Sequence, residues 1–375
     1  MAETTLRFTV INSTSDGLLH WYADNLQNVL LQRGHTLVPA GATTPPESDD
    51  GLNLVLNLTD LAAPRSFQRN GQGTFVVSLL HAADPATPVM RAAYPALVRS
   101  LSNMVLYLRE WNGRLESHFI TIEQGHATLV HGDDDWETFA AVYERIAPLA
   151  ASRLMINNEF VADLPAELWA GDAATAQLAW AGQRMAALGL LPAAFPIHEY
   201  LSERELRHVR RLYGLGGLSY GNLSCRARHN PGHFWMSASG VNKGTLQTIG
   251  RDMLLVTGFD AENQRMRLSV PPGMEPRRVS VDAIEHLMIY REHPAVGAIV
   301  HMHAWWRDPI PSTQVNYPCG TIELAQEVAE LVRHAPDPSR AVIGLKNHGL
   351  TITGHSLEEI FQRIEGNIVR QIPMV

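Results

Sequence analysis

The chain has 375 residues, 45% of them hydrophobic, and a formal net charge of -8. That length suits two domains or one large one, and the apolar content supports a packed core rather than a disordered chain. The acidic balance excludes a basic stripe for nucleic acid or an anionic membrane surface, and the cysteine count of two, Cys225 and Cys319, excludes a disulfide framework and fits a reducing, cytoplasmic setting.

Met1 to Phe8 lacks the basic start and apolar stretch of a signal peptide, and no apolar run approaches the roughly 20 residues of a spanning helix. Leu6, Phe8 and Val10 alternate with polar residues, the period of a strand. Leu19, Tyr22, Ala23, Leu26 and Leu30 then fall at helical spacing, with Gly34 as the stop. The turn between them, Asn12-Ser13-Thr14-Ser15-Asp16-Gly17, has the form of a phosphate-accepting helix start, but an N-cap by Ser15 or Asp16 is the simpler reading. It carries no dinucleotide-type glycine fingerprint. Leu52, Leu54, Leu56 and Leu58 alternate again, and residues 75–80 and 104–108 read as buried strands. Residues 90–101 and 135–149 read as helices. Asp133, Asp134 and Asp135 are expected to cap the helix beginning at Trp136 rather than to bind a metal, and His126 and His131 to be structural or solvent-exposed. This alternation predicts an α/β layered domain over residues 1–190, with no motif that names a ligand.

Pro192 and Pro196 break the pattern. Ser202 and Glu205 then form a capping-box start for a helix reaching about Tyr213, inside a second domain over residues 197–375. Residues 214–224 are glycine-rich and allow close backbone approach to a ligand, with Asn222 and Ser224 as hydrogen-bonding groups. A second small-residue turn, Ser237-Ala238-Ser239-Gly240-Val241-Asn242-Lys243, offers Lys243 to a phosphate or carboxylate; a solvated surface lysine is the equal alternative.

The chemistry concentrates further on. His301 and His303 flank one residue at the end of the apolar run Ala298-Ile299-Val300. Residues i and i+2 of a strand share a face, so the two imidazoles project together, and His348 in Asn347-His348-Gly349 can complete a tripod. Three neutral imidazoles with an open position are a common way to hold a catalytic divalent metal. Asp282 and His286, one helical turn apart, add an acid on a shared face. The set suits zinc or another divalent transition metal and predicts an enzyme.

Taken in order, Gly221-Asn222-Leu223-Ser224, Ser239-Gly240-Val241-Asn242-Lys243-Gly244, Asp282 with His286 and Tyr290, His301-Met302-His303, Gly320-Thr321 before Glu323-Leu324, and Asn347-His348-Gly349 leading to Gly354 resemble the class II aldolase and adducin family. The resemblance covers nearly all of residues 201–365. It implies an α/β/α domain around a mainly antiparallel sheet, with a Zn2+ ion held by His301, His303 and His348 near a subunit boundary in a homo-oligomer, a tetramer. It also implies a small-molecule substrate whose phosphate is bound by Asn222, Ser239 and Gly240, and less directly by Ser280. Members include sugar-phosphate aldolases, 4-epimerases, a dehydratase, decarboxylases and the non-catalytic adducins.

The chain departs from the family pattern in three places. Asp282 stands where the aldolases have a glutamate base; the 4-epimerases that resemble this chain use aspartate there as a metal ligand, so Asp282 is expected as ligand or base. Ser280 is followed by Val281 where many relatives have two serines just before the acid, which weakens the phosphate cradle and admits a carboxylate substrate. The segment after His303 is short, carries Trp305, Trp306 and Arg307, and the tail that brings a catalytic tyrosine to some relatives is expected to be missing; Tyr317 is a replacement candidate. The tryptophans either narrow the pocket or pack, and Arg307 either holds a carboxylate or lies at the surface. The function expected is a metal-dependent lyase of the aldolase type that stabilises an enediolate during C–C cleavage of a ketose-like or hydroxy-keto substrate, with Asn222, Ser239 and Lys243 gripping its anionic end. Epimerase, decarboxylase or dehydratase chemistry at the same metal, or an adducin-like scaffold, are the alternatives.

Overall fold

The structure is a computed structural model that describes residues 5–39, 51–67, 73–82, 84–122, 125–192, 197–213 and 219–374. Residues 193–196 at the proline break and 214–218 of the glycine-rich turn lie outside the described residues. The chain divides into two compact units, one of Met1–Ser152, Phe195–Val209 and Met374–Val375, the other of Arg153–Ala194 and Arg210–Pro373.

The first unit runs β1 (Arg7–Asn12), α1 (Gly17–Gln32), β2 (Thr36–Leu37), β3 (Leu54–Leu58), β4 (Phe75–His81), α2 (Val89–Ser100), β5 (Met104–Trp111), β6 (Arg114–Thr121), β7 (Gly125–Val130) and α3 (Asp135–Ala151). Its sheet has the order β2-β1-β3-β4-β5-β6-β7, parallel from β2 to β5 and antiparallel from β5 to β7. Asp16 caps α1 by accepting from the amides of Leu18 and Leu19, and Asp134 caps α3 by accepting from Glu137. All five residues of β3 are buried, not only the alternating leucines. Parallel strands in the middle of a sheet are covered on both faces, so Val55 and Asn57 are enclosed as well. Asn57 is satisfied there by donating to the Ser78 hydroxyl at 2.9 Å.

The antiparallel arm β6–β7 has no counterpart in the expected elements. Its signal is Asn112-Gly113, both with positive φ (51° and 76°) between β5 and β6. That is the residue pair a two-residue hairpin favours.

The second unit begins with β8 (Asn157–Val161) and α4 (Ala173–Ala187). These residues were expected in the first domain. They fall in the second because β8 is its edge strand, parallel to β12 with Asn157 opposite Arg265, and because Leu178, Ala181 and Met185 of α4 enter its core. Burying a side chain such as Leu178 is worth about 1.5–3 kcal/mol, which outweighs the weak amphipathic signal of this alanine-rich helix. The chain then passes through α5 (Ile197–Tyr200) and into α6 (Glu203–Tyr213), whose start is held by the reciprocal Ser202 and Glu205 bonds.

After α6 come β9 (Asn222–Arg226), β10 (Phe234–Ser237), β11 (Met253–Asp260), β12 (Arg265–Ser269), α7 (Ala283–Glu292), β13 (Ala298–Met302), β14 (Trp305–Trp306), α8 (Ile322–Arg333), β15 (Val342–Leu345), β16 (Gly349–Gly354), α9 (Leu357–Ile364) and β17 (Ile368–Val369). The large sheet has the order β15-β16-β13-β9-β10-β11-β12-β8. Every pair in it is antiparallel except β12 with β8. No helix among the described residues is long and apolar enough to cross a membrane.

Candidate metal centre and active site

The site grows from the register of three strands. His301 on β13 lies opposite Asn222 on β9 and opposite Thr351 on β16. Directly opposed residues of antiparallel strands share a face, so Asn222, His301 and Thr351 make one buried polar row. His303 continues the face two residues on. Because β16 runs antiparallel to β13, its start lies beside the end of β13, and the turn before it carries His348. Asn347 takes a left-handed φ of 58° there, and the His348 amide closes the turn on the Leu345 carbonyl at 2.9 Å.

The result is convergence of the three rings. Nε2 of His348 is 3.0 Å from Nε2 of His303, and the ring centroids of His301, His303 and His348 lie 4.7–5.2 Å apart. Two glycines permit this approach. A Cβ on Gly221, which has a φ of 72°, would overlap the His301 carbonyl oxygen, and one on Gly349 would overlap the Met302 carbonyl oxygen.

The N-terminus of α7 lies over the row. Asp282 occupies its N-cap position but bonds none of the helix amides. Its Oδ2 instead accepts from Asn222 Nδ2 at 2.6 Å, and its Oδ1 is buried without a hydrogen-bond partner. One turn on, Glu285 accepts from the Thr351 hydroxyl at 2.6 Å. His286 Nδ1 lies 2.7 Å from the Ser224 hydroxyl, which is 2.9 Å from the Tyr290 hydroxyl. His286 Nδ1 is thus engaged by Ser224 while its Nε2 is buried without a hydrogen-bond partner, and the residue stands outside the converging trio.

Electrostatics prepare the trio for a cation. Burial, first of all, pushes the His301, His303 and His348 imidazolium forms to lower pH, and neighbouring histidines add to this for His303 and His348. The rings are thus neutral, the state that binds a metal. His301 Nδ1 lies 3.0 Å from the Leu350 carbonyl. A carbonyl only accepts, so Nδ1 carries the hydrogen and Nε2 presents a lone pair. That Nε2 is buried and unpartnered, as is Asp282 Oδ1. A buried polar atom without a partner is costly unless something satisfies it, and a divalent cation fits both. The donor atoms of His301, His303 and His348 lie within 4.8 Å of one another, and a second such group is Asp282, His301 and Cys319.

Cys319 and Glu285 were not singled out in the sequence. Cys319 had a readable signal, its place just before the Gly320-Thr321 motif. Burial and the charge of Asp282 push the Glu285 carboxyl up to about 8, so it is protonated at neutral pH. Lys243 is not a surface lysine: it is buried, its Nζ donates to the Ser219 carbonyl at 2.6 Å, and burial, opposed by Asp282, pushes its ammonium down to about 8. Ser239 and Gly240 form an exposed turn, with the Ser239 amide bonded to the Arg278 carbonyl at 2.9 Å. Ser280 is buried beside Ser237. Trp305 and Trp306 pair with β17 as half-buried strand residues, with Trp305 packed over Gly344. Arg307 is exposed. Tyr317 has Glu327 and Glu323 of α8 as its charged neighbours.

The first unit has its own cavity of about 410 Å³, lined by Arg91, Arg109, Glu116, His118, His126 and Glu199 among others. Its lining thus carries two arginines and two glutamates. His131, in the same unit, bonds the Ser117 hydroxyl at 2.8 Å.

Residues 206–307, which hold the Asn222 strand, the Ser239 turn, Asp282 and the His301/His303 pair, match the Class II Aldolase and Adducin N-terminal domain. This stretch is similar to the class II aldolase and adducin family. Among curated proteins, the methylthioribulose-1-phosphate dehydratase of Pseudomonas paraeruginosa (strain PA7) is 30% identical over 106 residues, covering 28% of this chain and 46% of that protein. The enzyme of the same name from Pectobacterium atrosepticum is 30% identical over 128 residues, covering 34% and 50%. The chain thus spans about half the length of the curated relatives it matches. Among solved structures, an L-fuculose 1-phosphate aldolase from Glaciozyma antarctica PI12 is similar at 16% identity with a TM-score of 0.34, covering 56% of this chain and 74% of that one.

Proposed function

We propose that the second unit is a metal-dependent lyase acting on a ketose-like or hydroxy-keto substrate with an anionic end. The observation that carries this reading is the buried His301 Nε2, unpartnered and aimed among two further neutral imidazoles. His301, His303 and His348 would hold the ion, and Zn2+ suits a site of imidazoles best. When bound, the ion supplies positive charge to a substrate carbonyl oxygen and so acidifies the neighbouring C–H or C–OH.

The remaining work falls to the chain's own groups. Asp282 has one oxygen fixed by Asn222 and one free, which suits it either to complete the ion's shell or to take a proton from the substrate. Lys243, with its ammonium near 8, is poised to give or receive a proton at neutral pH. The exposed turn at Ser239 and Gly240, with Ser280, would hold the phosphate or carboxylate, because the Asn222 amide is already engaged by Asp282. Burial of the histidine row excludes bulk water from the reacting end.

Two bond cleavages share this proton chemistry. C–C cleavage is the reading drawn from the motifs. Loss of water by β-elimination, with the proton taken from the carbon beside the carbonyl and the hydroxyl leaving from the next carbon, is favoured by the names of the curated relatives, which are dehydratases. Purified protein, assayed by NMR against a panel of ketose 1-phosphates with and without chelator, separates them: two fragments mark the first, a single dehydrated product the second. Turnover that survives both chelation and His301→Ala would end the metal-dependent reading altogether. Light scattering of the same preparation tests the expected homo-oligomer.

A further inference from the structure

We infer that Cys319 is a fourth, exchangeable ligand of the ion held by the histidine trio, a conclusion that rests on the metal site proposed above. Cys319 Sγ lies 3.4 Å from His348 Nε2 and 3.5 Å from its Nδ1. Two nitrogens on opposite flanks of one ring carbon cannot both aim a lone pair at the same atom, so these distances do not describe a directed S–H···N bond. Sγ sits beside Cε1 of the His348 ring instead. With bonds of about 2.3 Å to sulfur and about 2.0–2.1 Å to nitrogen, a thiolate and an imidazole on one tetrahedral zinc stand about 3.6 Å apart, and two imidazoles about 3.4 Å. The His303 to His348 separation here is 3.0 Å, and a turn of the Cys319 side chain from Cε1 toward Nε2 of His348 would bring its sulfur onto the same ion.

An independent observation puts a cation at this corner. Cys319 forms a compact donor group with Asp282 and His301, and both those partners present a buried atom, Oδ1 and Nε2, with no hydrogen-bond partner. His301 belongs to this group and to the histidine trio alike, so one ion beside it is within reach of both. Binding would release the thiol proton to solvent and leave a thiolate on the metal. Sulfur ligation favours zinc or cobalt over magnesium or manganese. It also fills the position a substrate oxygen needs, so Cys319 closes the resting site and gives way when substrate arrives. The position before Gly320 allows this: Cys319 is only partly buried and sits in the loop that leads into α8, outside the sheet that fixes the histidines.

The test is the absorption spectrum of the full-length protein loaded with Co2+. The expected result is a near-ultraviolet sulfur-to-cobalt charge-transfer band beside the visible ligand-field bands. In Cys319→Ser the charge-transfer band is lost while the ligand-field bands remain, and zinc binds about tenfold or more weakly. Acetohydroxamate, a bidentate probe, should bleach the same band in the unaltered protein. Cobalt bound with ligand-field bands but no charge-transfer band would overturn the assignment of Cys319 and leave the histidine site standing. No cobalt bound at all would overturn both.

Discussion

His303 and His348 bring their Nε2 atoms to within 3.0 Å across 45 positions of sequence. One neutral ring can donate its Nε2–H to the other at this distance, whereas a shared cation would engage the lone pairs of both, and the antiparallel register of β13 and β16 imposes the meeting. The first expectation follows directly. His303→Ala and His348→Ala should each weaken zinc binding by about 100-fold or more, since even residues that only orient a ligand are worth 10–100-fold. Competition against a chromogenic chelator measures this, and circular dichroism checks that the fold persists.

Gly221 should tolerate no side chain. Its φ of 72° and the overlap of an added Cβ with the His301 carbonyl oxygen act together. Gly221→Ala is expected to cost about 1–3 kcal/mol of stability and to lower metal affinity by moving the His301 backbone. Gly258→Ala, where an added Cβ meets nothing, is the control. Equal urea midpoints for the two variants would disprove the steric account.

Glu285 sets a pH dependence in the metal-free protein. Its carboxyl is pushed up to about 8 by burial and by Asp282, from 4.5 when the chain is unfolded. Between these values the native state holds a proton that the unfolded state has released, so this group makes stability fall as pH rises from 4.5 to 8. Glu285→Gln mimics the protonated form and should flatten that slope; Glu285→Ala leaves the Thr351 hydroxyl without its acceptor and should destabilise at every pH. Urea unfolding at pH 5 and pH 8 distinguishes the three proteins.

His118 works in the opposite sense. Burial, then the charges of His126 and Arg109, push its imidazolium down to about 4, against Glu116. Between 4 and 6.5 the unfolded chain binds a proton that the native one refuses, so stability contributed here is present above 6.5 and lost as pH falls toward 4. Histidine Cε1–H resonances should show one ring, absent in His118→Gln, that fails to titrate above pH 5.

Much of the site could be read from the sequence because it depends on short-range rules. The i, i+2 spacing of His301 and His303 needs only the two-residue period of a strand. Cys319 and Glu285 needed register and packing: Glu285 matters because Thr351 lies opposite His301, a fact of pairing and not of local pattern. In the fold, β1, α1, β4, β5 and α3 were legible from periodicity. The β6–β7 arm was overlooked although Asn112-Gly113 announces its turn. Residues 153–190 cluster with the second unit rather than with the strands and helices before them, because periodicity identifies elements, while only strand partners and buried faces assign them to a sheet.

The ownership of residues 195–209 by the first unit has a practical side. A protease cutting at one place between residues 190 and 200 would still leave β8 and α4 upstream of the cut and the rest of their sheet downstream. Neither fragment is then a whole folding unit. Recombinant dissection of this polypeptide at a single junction should yield insoluble halves, and only a splice that joins residue 194 to residue 210 has the makings of an autonomous second unit.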